Sequence, residues 1–351
     1  MVSLVPLRKP GRQLLSRLLG MALSLLLLSL GLWWTAGRPK VPVDASTAAA
    51  GSLKVMTYSS FMNAWGPGPE IAKRYREKTG VQIEFQDAGD AGLILEKLKL
   101  FPVDVVIGLD QFSLDLARKK AEWRSIERKT DERGFPWNEP EFVAYDWAPI
   151  TFVYRKGEIE PPKNLRDLLD PRFAGTIALE DPRTSGPGLQ FLMWVLGEMG
   201  EEKGFEFLAQ LKPNIHSVSP SWSTAYGAFK DKRAKLVLSY MTSPIYHLIE
   251  EKSDIYAAAV LEDGHQPQIE FAGVPVSCRN CTEADKFVRF VLEPETQKQI
   301  MTKNYMLPVE SATTAGTPFA DLPPFSTRQR LSKDLLARRP ELFEAWRKLG
   351  L

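Results

Sequence analysis

The chain has 351 residues, 44% hydrophobic and 25% charged, which excludes a disordered chain and is too long for one small domain. Its 45 basic and 43 acidic residues leave a formal charge of +2, which gives no large basic surface for nucleic acid. Two cysteines are too few for a disulfide-dense scaffold, and three histidines are little material for a histidine-built metal site.

Residues 1–37 read as a signal peptide or N-terminal anchor. Arg8, Lys9, Arg12 and Arg17 precede an apolar run over 18–34 that is broken only by Gly and Ser. Basic residues before such a run orient it so that the rest of the chain is exported. Small residues at 35–37 and again at 46–48 offer cleavage positions, so the mature chain is either released or held at the outer face of the membrane. Residues 38–52, rich in Ala, Ser and Thr, form a tether.

From Leu53 strand and helix signals alternate. Residues 53–58 read as a strand, and a helix carrying Ile71, Ala72 and Tyr75 on one face stops at Gly80. Strand 81–85, helix 93–100 and strand 103–108 follow. A second series has strands at 150–154, 176–179 and 236–240, with helices at 189–199 and 244–251. A strand over 269–274, helices near 283–293 and 295–302 and a last helix over 340–349 complete the chain. The pattern predicts an α/β protein of two lobes, each a mostly parallel sheet flanked by helices, with a ligand cleft between them. The division is 53–147 for the first lobe and 148–271 for the second, with 272–351 returning to the first and ending in C-terminal helices.

Three features carry candidate chemistry. Asp181-Pro182-Arg183-Thr184-Ser185-Gly186-Pro187-Gly188 lies between a strand and a helix, either as an ordinary helix start or as a site whose free N–H groups hold an anion. It lacks the order of a P-loop, so nucleotide hydrolysis has no support. Tyr58, Trp65, Trp222, Tyr226, Tyr240, Tyr246 and Tyr305 stand at loop and strand ends, where aromatic faces either pack in the core or stack on a ligand. Asp90, in the turn 87–90, either caps a helix or meets a ligand cation. Cys278 and Cys281 form a CxxC without a following His, which in an exported protein reads as a local disulfide. No nucleophile elbow and no metal spacing appears, so catalytic and metal residues are not expected.

Trp65-Gly66-Pro67-Gly68-Pro69, the 104–110 strand, the 181–189 loop, Ser221-Trp222-Ser223-Thr224-Ala225-Tyr226-Gly227 and the 236–247 segment occur in this order. Together they resemble the thiamine-binding proteins of ABC importers, a family of type II periplasmic binding proteins. The resemblance spans about 53–309. It implies a periplasmic monomer that closes over thiamine, thiamine monophosphate or thiamine diphosphate, passes it to an inner-membrane permease, and uses no cofactor and no chemistry. It makes Tyr58, Trp65 and Asp90 first-lobe contacts, with Asp90 facing the cation or the aminopyrimidine. Ser185 and Gly186 become phosphate contacts, and Trp222, Tyr240, Met241, Thr242, Ser243 and Tyr246 the second-lobe wall. Tyr305 stands where the family has Trp, and Met241 and Gly186 where it has Thr. Polyamine-binding proteins, ferric-binding proteins and thiamine-degrading enzymes share the scaffold and are the alternatives.

Overall fold

The computed structural model describes residues 51–126, 139–330 and 332–351. The expected leader (1–37) and nearly all of the tether (38–52) lie outside the described residues. The described chain opens on strand β1 (Ser52–Thr57), a one-turn helix α1 (Ser59–Met62) and helix α2 (Gly68–Thr79). α2 ends as the sequence predicts at Gly80, whose φ of 77° suits a residue without a Cβ. β2 (Gln82–Asp87) leads through a 3-10 turn into α3 (Ile94–Lys97), shorter than the helix expected over 93–100. Pro102 disfavours helical backbone at Phe101, and the chain has left the helix by Leu98. β3 (Val105–Asp110) and α4 (Leu114–Lys120) complete the first series.

β4 (Phe142–Arg155) is fourteen residues long, where a short strand was expected. The second series is β5 (Ile177–Glu180), α5 (Gly186–Met199), α6 (Glu201–Leu211), β6 (Ile215–Ser219), α7 (Trp222–Lys230), β7 (Leu236–Tyr240) and α8 (Ser243–Glu250). β8 (Tyr256–Ala258) and β9 (Pro267–Gly273) follow. Then come α9 (Cys281–Val291), α10 (Pro294–Asn304), β10 (Leu307–Pro308), α11 (Lys333–Ala337) and α12 (Arg339–Lys348). Cys278 and Cys281 are joined by a disulfide at the start of α9.

The strands run in the order β2-β1-β3-β9-β4-β7-β5-β6. β1 pairs in parallel with β2 and β3, and β5 with β6 and β7, as the strand–helix alternation predicts. The crossing strands differ. β9 runs antiparallel to β3 and β4, and β4 antiparallel to β7, so the sheet is mixed. Phe142 to Pro149 of β4 pair with β9, whereas Ile150 to Tyr154 pair with β7.

One strand therefore serves two apolar cores. The first gathers β1, β3, α2, α9 and the start of β4 around Phe61, Ile107 and Phe287. The second gathers Phe152, Trp194 of α5, Leu208 of α6 and Leu238 of β7. Pro149 and Pro267 face each other where β4 passes from one core to the other. Neither has an N–H, so two ladder donors are missing at that point.

The C-terminal helix α12 packs Leu342 and Trp346 into the second core. The chain end thus staples the second lobe after the intervening segment has returned to the first. Trp346 is fully buried. Trp346→Ala should destabilise the protein by about 3–5 kcal/mol, the cost of a large core cavity, read as a lowered urea midpoint.

Candidate functional site

The carboxyl ends of β1, β2, β6 and β7 deliver side chains to one cavity of about 560 Å³. Eight of the twelve residues nominated from sequence line it: Tyr58, Trp65, Asp90, Trp222, Tyr240, Ser243, Tyr246 and Tyr305. Tyr226 joins them. The other four stand outside the lining. Ser185, Met241 and Thr242 are buried, and the Gly186 N–H is directed at Asp90.

Each wall is set up locally. Ser221 caps α7 by accepting a hydrogen bond from the Thr224 N–H at 3.3 Å, so the helix begins at Trp222. Trp222 and Tyr226, four residues apart, then share a face and stack at 5.0 Å with their rings 29° apart. Trp222 Nε1 donates to Ser239 Oγ at 2.9 Å, which fixes the indole edge. On the opposite wall Tyr58 leaves β1 beside Gly108, where a Cβ would lie 2.4 Å from the tyrosine ring. Glycine at 108, with φ of 101°, is what admits that ring.

Carboxylates underlie the cavity. Glu270 lines it and accepts from Tyr58 at 2.7 Å and Tyr145 at 2.6 Å through one oxygen, and from Gln268 at 3.0 Å through the other. Asn304 bridges Tyr58 and Asp146 at 2.9 and 2.8 Å. Burial pushes Asp146 and Glu270 upward, and Asp146 also feels the charge of Glu270. The same burial and the neighbouring acids hold the Tyr58 and Tyr145 phenols protonated, as donors. Glu180, at the end of β5, is fully buried with neither oxygen hydrogen-bonded among the described residues. Burial, then the charge of Asp90, raises it well above the usual carboxylate range.

Asp90 itself reaches across the cleft. Its carboxylate accepts from the Trp222 N–H at 3.0 Å and from the Gly186 N–H at 3.4 Å, the first residues of α7 and α5. Gly186, in the loop that the sequence offers as either an ordinary helix start or an anion site, thus faces an anion of the chain's own. Burial raises Asp90 to about 6 in spite of these bonds. Together the cavity offers stacked aromatic faces on one wall and desolvated carboxylates on the other. That pairing suits a flat organic cation.

The family described as bacterial extracellular solute-binding protein matches residues 106–333. This chain belongs to that family. The thiamine-binding periplasmic protein of Escherichia coli K12 is 33% identical over 303 residues, 84% of this chain and 92% of that protein. That of Haemophilus influenzae is 35% identical over 296 residues, 82% of this chain and 86% of that protein. A solved structure titled periplasmic thiamin binding protein superposes with a TM-score of 0.79 at 33% identity, covering 85% of this chain and 96% of that one. Iron-bound HitA from Pseudomonas aeruginosa superposes at 0.68 and 24% identity over 86% of this chain and 99% of that one, a likeness of fold.

For this solute-binding protein the sequence reading missed Glu270, Gln268, Asn304, Lys230 and Lys303, all of which line the cavity. Glu270 had a signal: a lone acid inside an apolar strand run must be buried and needs partners. Lys230 lies one turn beyond Tyr226 on α7, a helix the sequence reading did not find. Among the described residues, no helix is long and apolar enough to cross a membrane.

Asp90 should titrate at about 6 by carboxyl carbon NMR, against an ordinary value of 3.8. The unfolded chain releases this proton first as pH rises from about 4, so stability tied to Asp90 is lost as pH passes its folded value. Asp90→Asn should remove that contribution, on the order of 3 kcal/mol, from the pH dependence of the unfolding free energy.

Proposed function

We propose that this protein captures thiamine in the cleft between its lobes, in the periplasm, and delivers it to the permease of an ABC importer without chemical change. One observation carries the reading. The Trp222–Tyr226 stack faces a cavity that also holds Asp90 and Glu270. Thiamine has a flat aminopyrimidine and a permanently charged thiazolium, one for each kind of wall. The thiamine-binding relatives, alike over most of the chain, support the same ligand. The iron-bound neighbour supports the fold only.

Binding without turnover fits the site's chemistry. A thiamine-degrading enzyme on this scaffold needs a cysteine nucleophile, and no cysteine lines the cavity. Cys278 and Cys281 are joined to each other. A monomeric working unit suits this reading, because one chain supplies both walls of the cavity.

Phosphate esters of thiamine place an anion beside the same ring system. Ser185 and Gly186, the contacts the family resemblance suggests, stand beside Asp90 here, and a phosphate would reach the Gly186 N–H by displacing that carboxylate. Lys230 and Lys303 line the cavity from opposite lobes and offer a second, cationic address. Replacing both by Ala should weaken diphosphate binding about tenfold while leaving thiamine within about twofold, measured by calorimetry. Equal affinity for the diphosphate in wild type and variant would return the phosphate to Ser185 and Gly186.

The direct test is titration of the intrinsic fluorescence with thiamine, its monophosphate and its diphosphate. Saturable quenching is expected, and Trp222→Ala should raise the thiamine Kd by about tenfold or more, roughly 1.4 kcal/mol per decade. Absence of binding in both fluorescence and calorimetry would remove thiamine as the ligand.

A further inference from the structure

We propose that Gly92 is a positioning residue for ligand capture: its bare backbone lets the turn after Asp90 seat on Thr184 and Ser185 of the facing lobe, and so sets how far the cleft closes. The proposal rests on the capture reading above and adds the contact that limits it. Gly92 lies in the 3-10 turn Ala91–Leu93, and its φ is not positive. Nothing in its own backbone therefore demands glycine, and apart from this contact the residue is exposed.

The demand comes from the other lobe. A Cβ at position 92 would stand 2.4 Å from the Thr184 carbonyl oxygen, 2.6 Å from its carbon and 3.1 Å from the Ser185 nitrogen. These are backbone atoms and cannot swing aside as a side chain does. Their loop is also held within its own lobe. Thr184 Oγ1 donates to the Pro220 carbonyl at 2.7 Å, and the Asp181 N–H donates to Ser219 at 2.8 Å. The Ser185 N–H returns to the Asp181 carbonyl at 2.9 Å.

An added methyl group is therefore accommodated by moving the turn away from the second lobe. The same movement lengthens both bonds of Asp90, already 3.4 Å to Gly186 and 3.0 Å to Trp222. The cleft then closes short of its full seat. Ligand enters as before, because entry uses the open cleft, but leaves faster. A residue that only stabilised the fold would not divide the two rates in this way.

The test compares purified full-chain wild type with Gly92→Ala and Gly92→Val, using stopped-flow fluorescence with thiamine. Dissociation is expected to quicken by about tenfold with Ala and further with Val, association to stay within about threefold, and the thermal midpoint to stay unchanged. Equal dissociation rates in wild type and Gly92→Ala overturn the proposal. A second readout does not depend on the ligand. The two native cysteines are paired, so Lys99→Cys and Lys203→Cys, one on each lobe, provide the only free thiols for spin labels. A short-distance population present in wild type and reduced in both Gly92 variants supports the latch. Identical distance distributions overturn it. A wild-type chain that ignores thiamine sinks the ligand assignment, and the label distances then decide the latch alone.

Discussion

Drawing Asp90 out of water costs solvation free energy, and backbone N–H groups at two helix starts, Trp222 and Gly186, offset part of it. Those two donors belong to the other lobe, so they reach the carboxylate only while the walls are together. Burial still outweighs them, since Asp90 remains raised to about 6. Glu180 behind it and Glu270 beside it are raised by burial as well. A cation between the walls would favour the ionised forms of these acids, Asp90 first among them. Ligand charge and lobe closure are therefore linked through the same few atoms.

The sheet is arranged so that each lobe keeps a core of its own. β4 contributes its first eight residues to one lobe's ladder and its later ones to the other, and the changeover falls at facing prolines. Behind the cleft, Gln111 donates to the Pro267 carbonyl at 2.6 Å and to Gln190 at 3.0 Å, and accepts from the Ile269 N–H at 3.0 Å. Amides suit such a place because one side chain both donates and accepts, which satisfies a buried crossing without adding charge. Gln268 continues the network to the cavity, donating to Tyr240 and Glu270 at 3.0 Å each.

Much of this was legible in the chain, and the failures have a common cause. Strand–helix alternation located β1, β2, β3, β5 and β7, and aromatics at strand ends led to the cavity because parallel strands deliver residues there. α7 was missed because Ser223, Thr224 and Gly227 weaken its helical signal, whereas burial of Ala225, Tyr226 and Phe229 holds it in place. With α7 went Lys230 and the shared face of Trp222 and Tyr226. The antiparallel crossings of β4 and β9 were not legible either, since pairing direction is set by where distant segments return. Asp90 was nominated as a cation partner or a cap. In the fold it meets two helix starts from a different lobe, which local sequence cannot express.

The mouth of the cleft carries a second and different clasp. Tyr305 donates to Glu250 at 3.0 Å and its ring meets Tyr246 edge-on at 5.4 Å, while Lys303 lies 3.7 Å from the same Glu250. Tyr305 holds a left-handed φ of 54°, unusual for an aromatic residue and suited to a position that packing fixes. Glu250 and Lys303 are both exposed, and exposed ion pairs contribute only about 0–1 kcal/mol. At the back of the cleft the Asp90 contact carries its own desolvation cost. A clasp worth little on one side and nearly balanced on the other cannot keep the lobes shut by itself. Contacts that exist only when ligand bridges the walls must then supply most of the difference, which leaves the cleft free to load and to release.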